Sequence, residues 1–248
     1  ITFDLSKTSF QKSSFSACVV KLIVPSIESL NNIRDFNFIK EIVLPSSITS
    51  ISQNSFANIN VPVLKLPSSV KTINEKAFYN CKSKEIILPS SITVIPKDAF
   101  HGCSNLTHFT FPSSIKSISE SSFNSCSSLV HIALPSSITV IPKDAFSGCS
   151  KLAQIEIPSS VTTICERAFN GCYSLANIKL PPSITSIPDG VFSNCSTLSQ
   201  IEIPSSVNSI GERVFSGCGL LGYVKLPPSI TNLPREAFSS CYSLIYIA

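Results

Sequence analysis

Residues 134–155 read LPSSITVIPKDAFSGCSKLAQI, and variants of this phrase return along nearly the whole chain. Prolines stand at Pro25, Pro45, Pro67, Pro89, Pro112, Pro135, Pro158, Pro181, Pro204 and Pro227, in steps of 20, 22 and 22 and then six steps of 23. A phenylalanine follows each proline by 11 residues, from Phe36 and Phe56 through to Phe238. Three residues later comes cysteine, from Cys81 to Cys241, with Ile39 and Ile59 holding that place in the first two units. Phe15 and Cys18 keep the same spacing in a degenerate unit before them. A second proline recurs at Pro96, Pro142, Pro188 and Pro234, 46 residues apart, while the intervening units carry Asn74, Ser119, Cys165 and Gly211 there, each followed by Glu. The chain therefore reads as duplications of a two-coil unit.

The unit from Leu152 to Cys172 shows what each coil does. It opens LAQIEIP, in which Leu152, Ile155 and Ile157 point inward while Ala153, Gln154 and Glu156 point out, with the alternation of a strand. Leu-x-x-Ile-x-Ile is the strand signature of leucine-rich repeats. Pro158 ends the strand because it cannot donate to a ladder. Val161 and Ile164 in SSVTTI predict a second, shorter strand on another side of the coil. In alternate coils PKDAFSGC places a proline at the start and a glycine at the end of a segment, which predicts a single helical or 3₁₀ turn centred on Ala-Phe. Such a unit cannot bury its own apolar positions, but stacked units can. The phenylalanines then form a continuous internal stack, and cutting one to alanine costs about 3–5 kcal/mol.

The fold expected is a leucine-rich-repeat solenoid of mostly short parallel β-strands with short helical or 3₁₀ turns, about ten coils, curved right-handed. Residues 1–24 form a degenerate N-terminal capping unit, and residues 25–248 form the repeat domain, which ends mid-coil. The composition is 43% hydrophobic but only 14% charged, so serine and threonine carry much of the solubility. A net charge of +4 without a strong basic run gives no support to nucleic-acid binding. No apolar stretch approaches the ~18 residues of a membrane span. The chain starts at Ile1 and contains no Met, as expected of a processed product or excised fragment, any signal peptide or anchor then lying outside it.

Ten cysteines raise disulfide and metal readings. Eight recur at one inward position, where cysteine serves as a small buried hydrophobe. Stacked side chains point in parallel, which is poor geometry for bridging. Paired Cys-x-x-Cys or Cys/His zinc spacings do not occur. His108 and His131 share an outward column one coil apart, but no third ligand column accompanies them, so no metal and no cofactor is assigned. No Ser-His-Asp set or phosphate-cradling glycine loop is present, the serines being repeat filler, and no catalytic residue is assigned. Charged pairs such as Lys143-Asp144 and Glu166-Arg167 read as solvated turns. Two sequons, at Asn105 and Asn194, lie between the Phe turn and the strand.

The outward strand positions are the informative surface. One column runs His108, His131, Gln154, Asn177, Gln200, Tyr223, Tyr246, and its neighbour runs Glu156, Lys179, Glu202, Lys225. The Glu/Lys alternation predicts cross-strand ion pairs. The two tyrosines supply apolar contact with a polar tip.

The phrase at Leu134–Ile155 resembles the BspA-like leucine-rich repeats, and the resemblance covers residues 25–248, with the first units departing in length and lacking the cysteine. The resemblance implies surface or secreted proteins of bacteria and parasitic protozoa, some of them adhesins for host matrix proteins, and it brings no catalytic residues. The function expected is a non-enzymatic protein-binding or adhesion module that uses the concave strand face. Its ligand is a protein, with host and extracellular matrix proteins as candidates. No nucleic acid and no membrane insertion within this chain is expected. A structural spacer of a larger surface protein and a glycan-binding surface stand as alternatives. The location expected is the cell surface or secreted, with the free thiols pointing instead to a reducing cytoplasm.

Overall fold

The computed structural model describes residues 2–4, 21–26 and 39–247. Phe15, Cys18 and Phe36, with most of the expected capping unit, lie outside the described residues. The described chain winds into a parallel solenoid of about nine turns. One side carries three-residue strands, among them Glu41–Val43, Val63–Lys65, Glu85–Ile87, His131–Ala133, Gln154–Glu156, Gln200–Glu202 and Tyr223–Lys225. Their central residues point inward and are buried, and the flanking residues mostly face solvent, as the alternation predicts. Successive coils pair in register, His131 with Gln154 and Gln200 with Tyr223 with Tyr246. Thr2–Asp4 and Lys21–Ile23 extend the ladder at the amino-terminal end, as a parallel sheet with Glu41–Val43.

The expected second strand is present as two-residue pieces, such as Val140–Ile141 and Thr163–Ile164. These do not form one continuous ladder. They pair two by two: Ser50–Ile51 with Thr72–Ile73, Val94–Ile95 with Ser117–Ile118, Val140–Ile141 with Thr163–Ile164, Ser186–Ile187 with Ser209–Ile210. The cause is the 46-residue proline. Asn74, Ser119, Cys165 and Gly211 each donate a backbone N–H to the preceding coil, at 2.7–2.9 Å. Pro96, Pro142, Pro188 and Pro234 occupy that place in alternate coils and have no N–H to give.

The helical turns expected around Ala-Phe are not there, and among the described residues no helix occurs at all. Pro142 to Cys149 is instead a run of β-turns. Ala145 N–H donates to Pro142 O, Ser147 N–H to Asp144 O and Cys149 N–H to Phe146 O, each 3.2 Å. The intervening N–H groups reach the next coil: Asp144 to Glu166 O, Phe146 to Ala168 O and Gly148 to Asn170 O. A helix is excluded because Asp144 has φ +54° and Gly148 φ +73°, both left-handed. Every coil from Asn54 to Ser240 repeats this, with positive φ two residues before and two residues after its phenylalanine.

Inside, Phe56, Phe78, Phe100, Phe123, Phe146, Phe169, Phe192, Phe215 and Phe238 stack ring on ring. Neighbouring centroids lie 5.0–5.8 Å apart with planes within 5–19° of parallel. Beside them runs the thiol column. The cysteines of the described residues are free. The Sγ of Cys126, Cys149, Cys172 and Cys195 each donates to the carbonyl of the phenylalanine in the coil before, at 3.1–3.3 Å. That carbonyl also accepts the N–H of the cysteine in its own coil, as Phe123 O does from Cys126. Both lone pairs are thus used, and the second bond requires a protonated thiol. Burial pushes the Cys149 and Cys218 thiols up to about 12. The serines are not filler. In five of the Pro-Ser-Ser turns, from Pro89 to Pro204, the second serine donates to a carbonyl of the preceding coil, as Ser160 does to Ile138 and Ser206 to Ile184, both 2.7 Å.

Two predictions follow from these columns. Gly171 has φ +70° and a Cβ added there meets only backbone at 3.6 Å or more, so Gly171→Ala isolates the backbone term and costs about 1 kcal/mol. Ser121, at φ +54°, behaves oppositely: Ser121→Gly is neutral or gains up to about 1 kcal/mol. Urea denaturation of both variants checks the opposite signs. The second concerns pH. Thiols of the unfolded chain ionise near about 8.5 while the buried ones stay protonated, so stability present below that pH is lost as pH rises towards about 12. The loss is about 1.4 kcal/mol per pH unit for each such thiol. Cys149→Ala should lower the slope of stability against pH between 9 and 11 by about one proton's share, and an unchanged slope would contradict the thiol origin.

Candidate functional site

The side chains expected to bind a partner reach the surface. His108, Gln154, Glu156, Asn177, Lys179, Gln200, Glu202, Tyr223, Lys225 and Tyr246 are exposed, and His131 is half-buried. The stacked coils bring them together in two columns, one rung per coil, with Gln154–Glu156, Gln200–Glu202 and Tyr223–Lys225 held in strands. Tyr223 and Tyr246 stack with ring centroids 5.9 Å apart. His108 and His131 are bridge partners across adjacent coils. His131 Nε2 approaches Glu156 Oε1 at 3.4 Å, and His108 Nδ1 lies 3.0 Å from the Thr107 hydroxyl. Among the described residues no three His, Cys, Asp or Glu side chains are placed to hold a metal ion. Asn105 and Asn194 are exposed.

Two hollows open on this strand face. The larger, ≈ 960 Å³, is lined by Asn177, Lys179, Gln200, Glu202, Tyr223 and Lys225, with Pro182, Ser205 and Pro228 along the rim. The smaller, ≈ 220 Å³, is lined by Glu85, Ile87, His108, Thr110 and Phe111. Both sit where the ladder loosens. Residues 177–179 form no strand, and the 108–110 segment keeps only the single bridge at His108. In the second case the cause is visible. Phe109 takes an inward strand position that is Ile, Leu or Val in each of the other coils from Leu22 onward, and packs edge-on against Phe100 and Phe123 at 4.9 Å. The proline rim went unremarked in the sequence. Its signal is Pro-Pro at 181–182 and 227–228, where other units have Pro-Ser.

The two charged surfaces behave differently. On the turn side the charges do not rest as isolated solvated pairs but bond from coil to coil. Lys143 reaches Glu166 at 2.8 Å, and Arg167 grips Asp144 through Nε and Nη2, both at 3.0 Å. Lys97–Glu120 and Arg213–Glu236 repeat the contact. Lys143 holds the Glu166 carboxyl below its ordinary range. On the strand face, Lys21–Glu41 closes at 3.0 Å. The expected pairs along Glu156, Lys179, Glu202 and Lys225 mostly do not form: Lys225–Glu202 stands at 4.0 Å, and Lys179 pairs with neither neighbour.

Among the described residues no helix is long and apolar enough to cross a membrane. No curated protein matches the chain. Among solved structures, the T. pallidum leucine-rich repeat protein TpLRR is 39% identical with a TM-score of 0.52, over 54% of this chain and 62% of its own. The chain thus spans less than two thirds of that relative. A leucine-rich cell surface protein from Faecalibacterium prausnitzii is 23% identical over 92% of this chain and 82% of its own, TM-score 0.43. The pneumococcal vaccine antigen PcpA is 19% identical over 99% of this chain and 59% of its own, TM-score 0.48. The description "BspA type Leucine rich repeat region" matches residues 36–153 and 120–245 in 6 copies. With its repeat register borne out coil by coil, the chain belongs to the BspA-type leucine-rich repeat family.

Proposed function

We propose that the chain is a non-enzymatic protein-binding or adhesion module whose partner lies on the face of the three-residue strands. The observation that carries this reading is the coincidence on one face of both hollows with the exposed side chains that change from coil to coil. Solenoids present extended surfaces of this kind. The strands hold the side chains in place, so little entropy remains to be lost on binding. Tyr223 and Tyr246, 42% and 58% exposed, supply the large amphipathic contact that interfaces favour. Membership of the BspA-type family supports a location at the cell surface or outside the cell, with host or extracellular matrix proteins as partners.

Binding to a panel of purified matrix proteins, measured by surface plasmon resonance, tests the reading. For a matrix protein that binds, Tyr223→Ala combined with Tyr246→Ala should weaken affinity by about 2 kcal/mol, roughly thirtyfold, with little change in melting temperature. Changes to glutamine or asparagine at Lys143, Asp144, Glu166 and Arg167 on the turn side should leave affinity intact. The opposite pattern would move the site to the turn side.

A further inference from the structure

We propose that the strand face also pairs with a second copy of this chain, the two stacked antiparallel about a two-fold axis that runs along the strand direction between the Lys179 and Glu202 rungs. This rests on the strand face being the binding face. The charge column carries the argument. Its rungs read Glu156, Lys179, Glu202, Lys225. A two-fold along the strands keeps each column opposite itself and reverses the order of the coils. Glu156 then meets Lys225 of the other copy and Lys179 meets Glu202, and the same contacts recur by symmetry. All four rungs are matched. A slip of one rung sets glutamate against glutamate and lysine against lysine, so the column selects the register as well as the partner. The rung spacing matches automatically, because both copies share it.

The column is also free to do this. On the turn side, four pairs of opposite charges one coil apart close to 2.5–3.0 Å, and Lys76–Asp98 stands at 4.0 Å. Lys21 and Glu41 show that a pair of adjacent rungs can close on the strand face too, at 3.0 Å. In the column, Lys179 has a glutamate on either side and bonds neither, while Lys225 and Glu202 remain 4.0 Å apart with side chains 62% and 81% exposed. Glu156, 3.4 Å from His131, has a side chain 65% exposed, and charges that stay this open to solvent remain available to a facing surface. The adjoining column agrees with the same operator: Asn177 meets Gln200 and Gln154 meets Tyr223, all neutral and able to exchange hydrogen bonds.

Sedimentation velocity on the full chain across a range of concentrations and salt tests the pairing. The wild type should show a monomer–dimer equilibrium that weakens as salt rises. Lys179→Glu places glutamate against Glu202 twice over, and Glu202→Lys places lysine against Lys179 twice over. Each variant alone should raise the dimer Kd at least tenfold while circular dichroism melts stay unchanged. An equimolar mixture of the two, or the double variant within one chain, should restore dimers, because every opposed rung is again unlike in charge. A wild type that stays monomeric, single variants that still dimerise, or a mixture that fails to rescue would each overturn the proposal. If matrix-protein binding still depends on Tyr223 and Tyr246 while the wild type is monomeric, the self-pairing falls and the binding face stands.

Discussion

In-register stacking governs this molecule. Because coils pair rung to rung, the neighbour of almost every side chain is its own counterpart one coil away. A position is therefore judged by how well a residue tolerates a copy of itself at about 5 Å. Phenylalanine tolerates it well, since near-parallel rings shed water and fill space. Cysteine does as well, because its thiol finds a carbonyl in the coil before and has no need of the sulfur beside it. Serine repeats the device at the Pro-Ser-Ser turn.

Charge is the residue property that such stacking punishes. Identical coils would set lysine on lysine along the turn side. The two-coil period resolves this. The coils of Pro96 and Pro142 carry Lys-Asp, while the intervening coils carry Glu at the lysine's place, so Lys97 meets Glu120, Lys143 meets Glu166 and Asp144 meets Arg167. The same alternation interrupts the short second ladder, because proline withholds an N–H from every other junction. One duplication thus settles two features: where charges neutralise and where backbone pairing pauses. On the strand face the alternation runs along a different column, where Lys225–Glu202 stands at 4.0 Å and Lys179 pairs with neither neighbour.

Much of this was legible in the repeat. Leu-x-x-Ile-x-Ile placed the strands, Phe and Cys their inward columns, and Gln154, Asn177, Gln200 and Tyr223 their outward one. The helical turn was misread for a definite reason. A proline at the start and a glycine at the end imitate helix caps, and the residue that forbids the helix is Asp144 in one coil and Arg167 in the next, neither of which announces a left-handed backbone. Backbone bonds to the adjacent coil stabilise that conformation, and no local pattern records them. The serines were discounted for a related reason: their acceptors lie 22 residues away.

The sequence by itself determined the fold, because a period repeated this faithfully leaves one way to bury its apolar positions, namely coil upon coil. It also determined which side chains face outward, since alternation along a short strand is a local property. Only the tertiary structure decided which of those outward charges bond each other. Lys143 and Lys179 each have a glutamate one coil away, yet one closes a contact at 2.8 Å and the other pairs with none. Spacing along the chain is the same in both cases, so the outcome rests on how each side of the coil aims its side chains. The hollows are decided in the same way. They arise where Phe109 crowds the ring stack and where residues 177–179 leave the ladder, through packing against neighbours that the repeat alone does not specify.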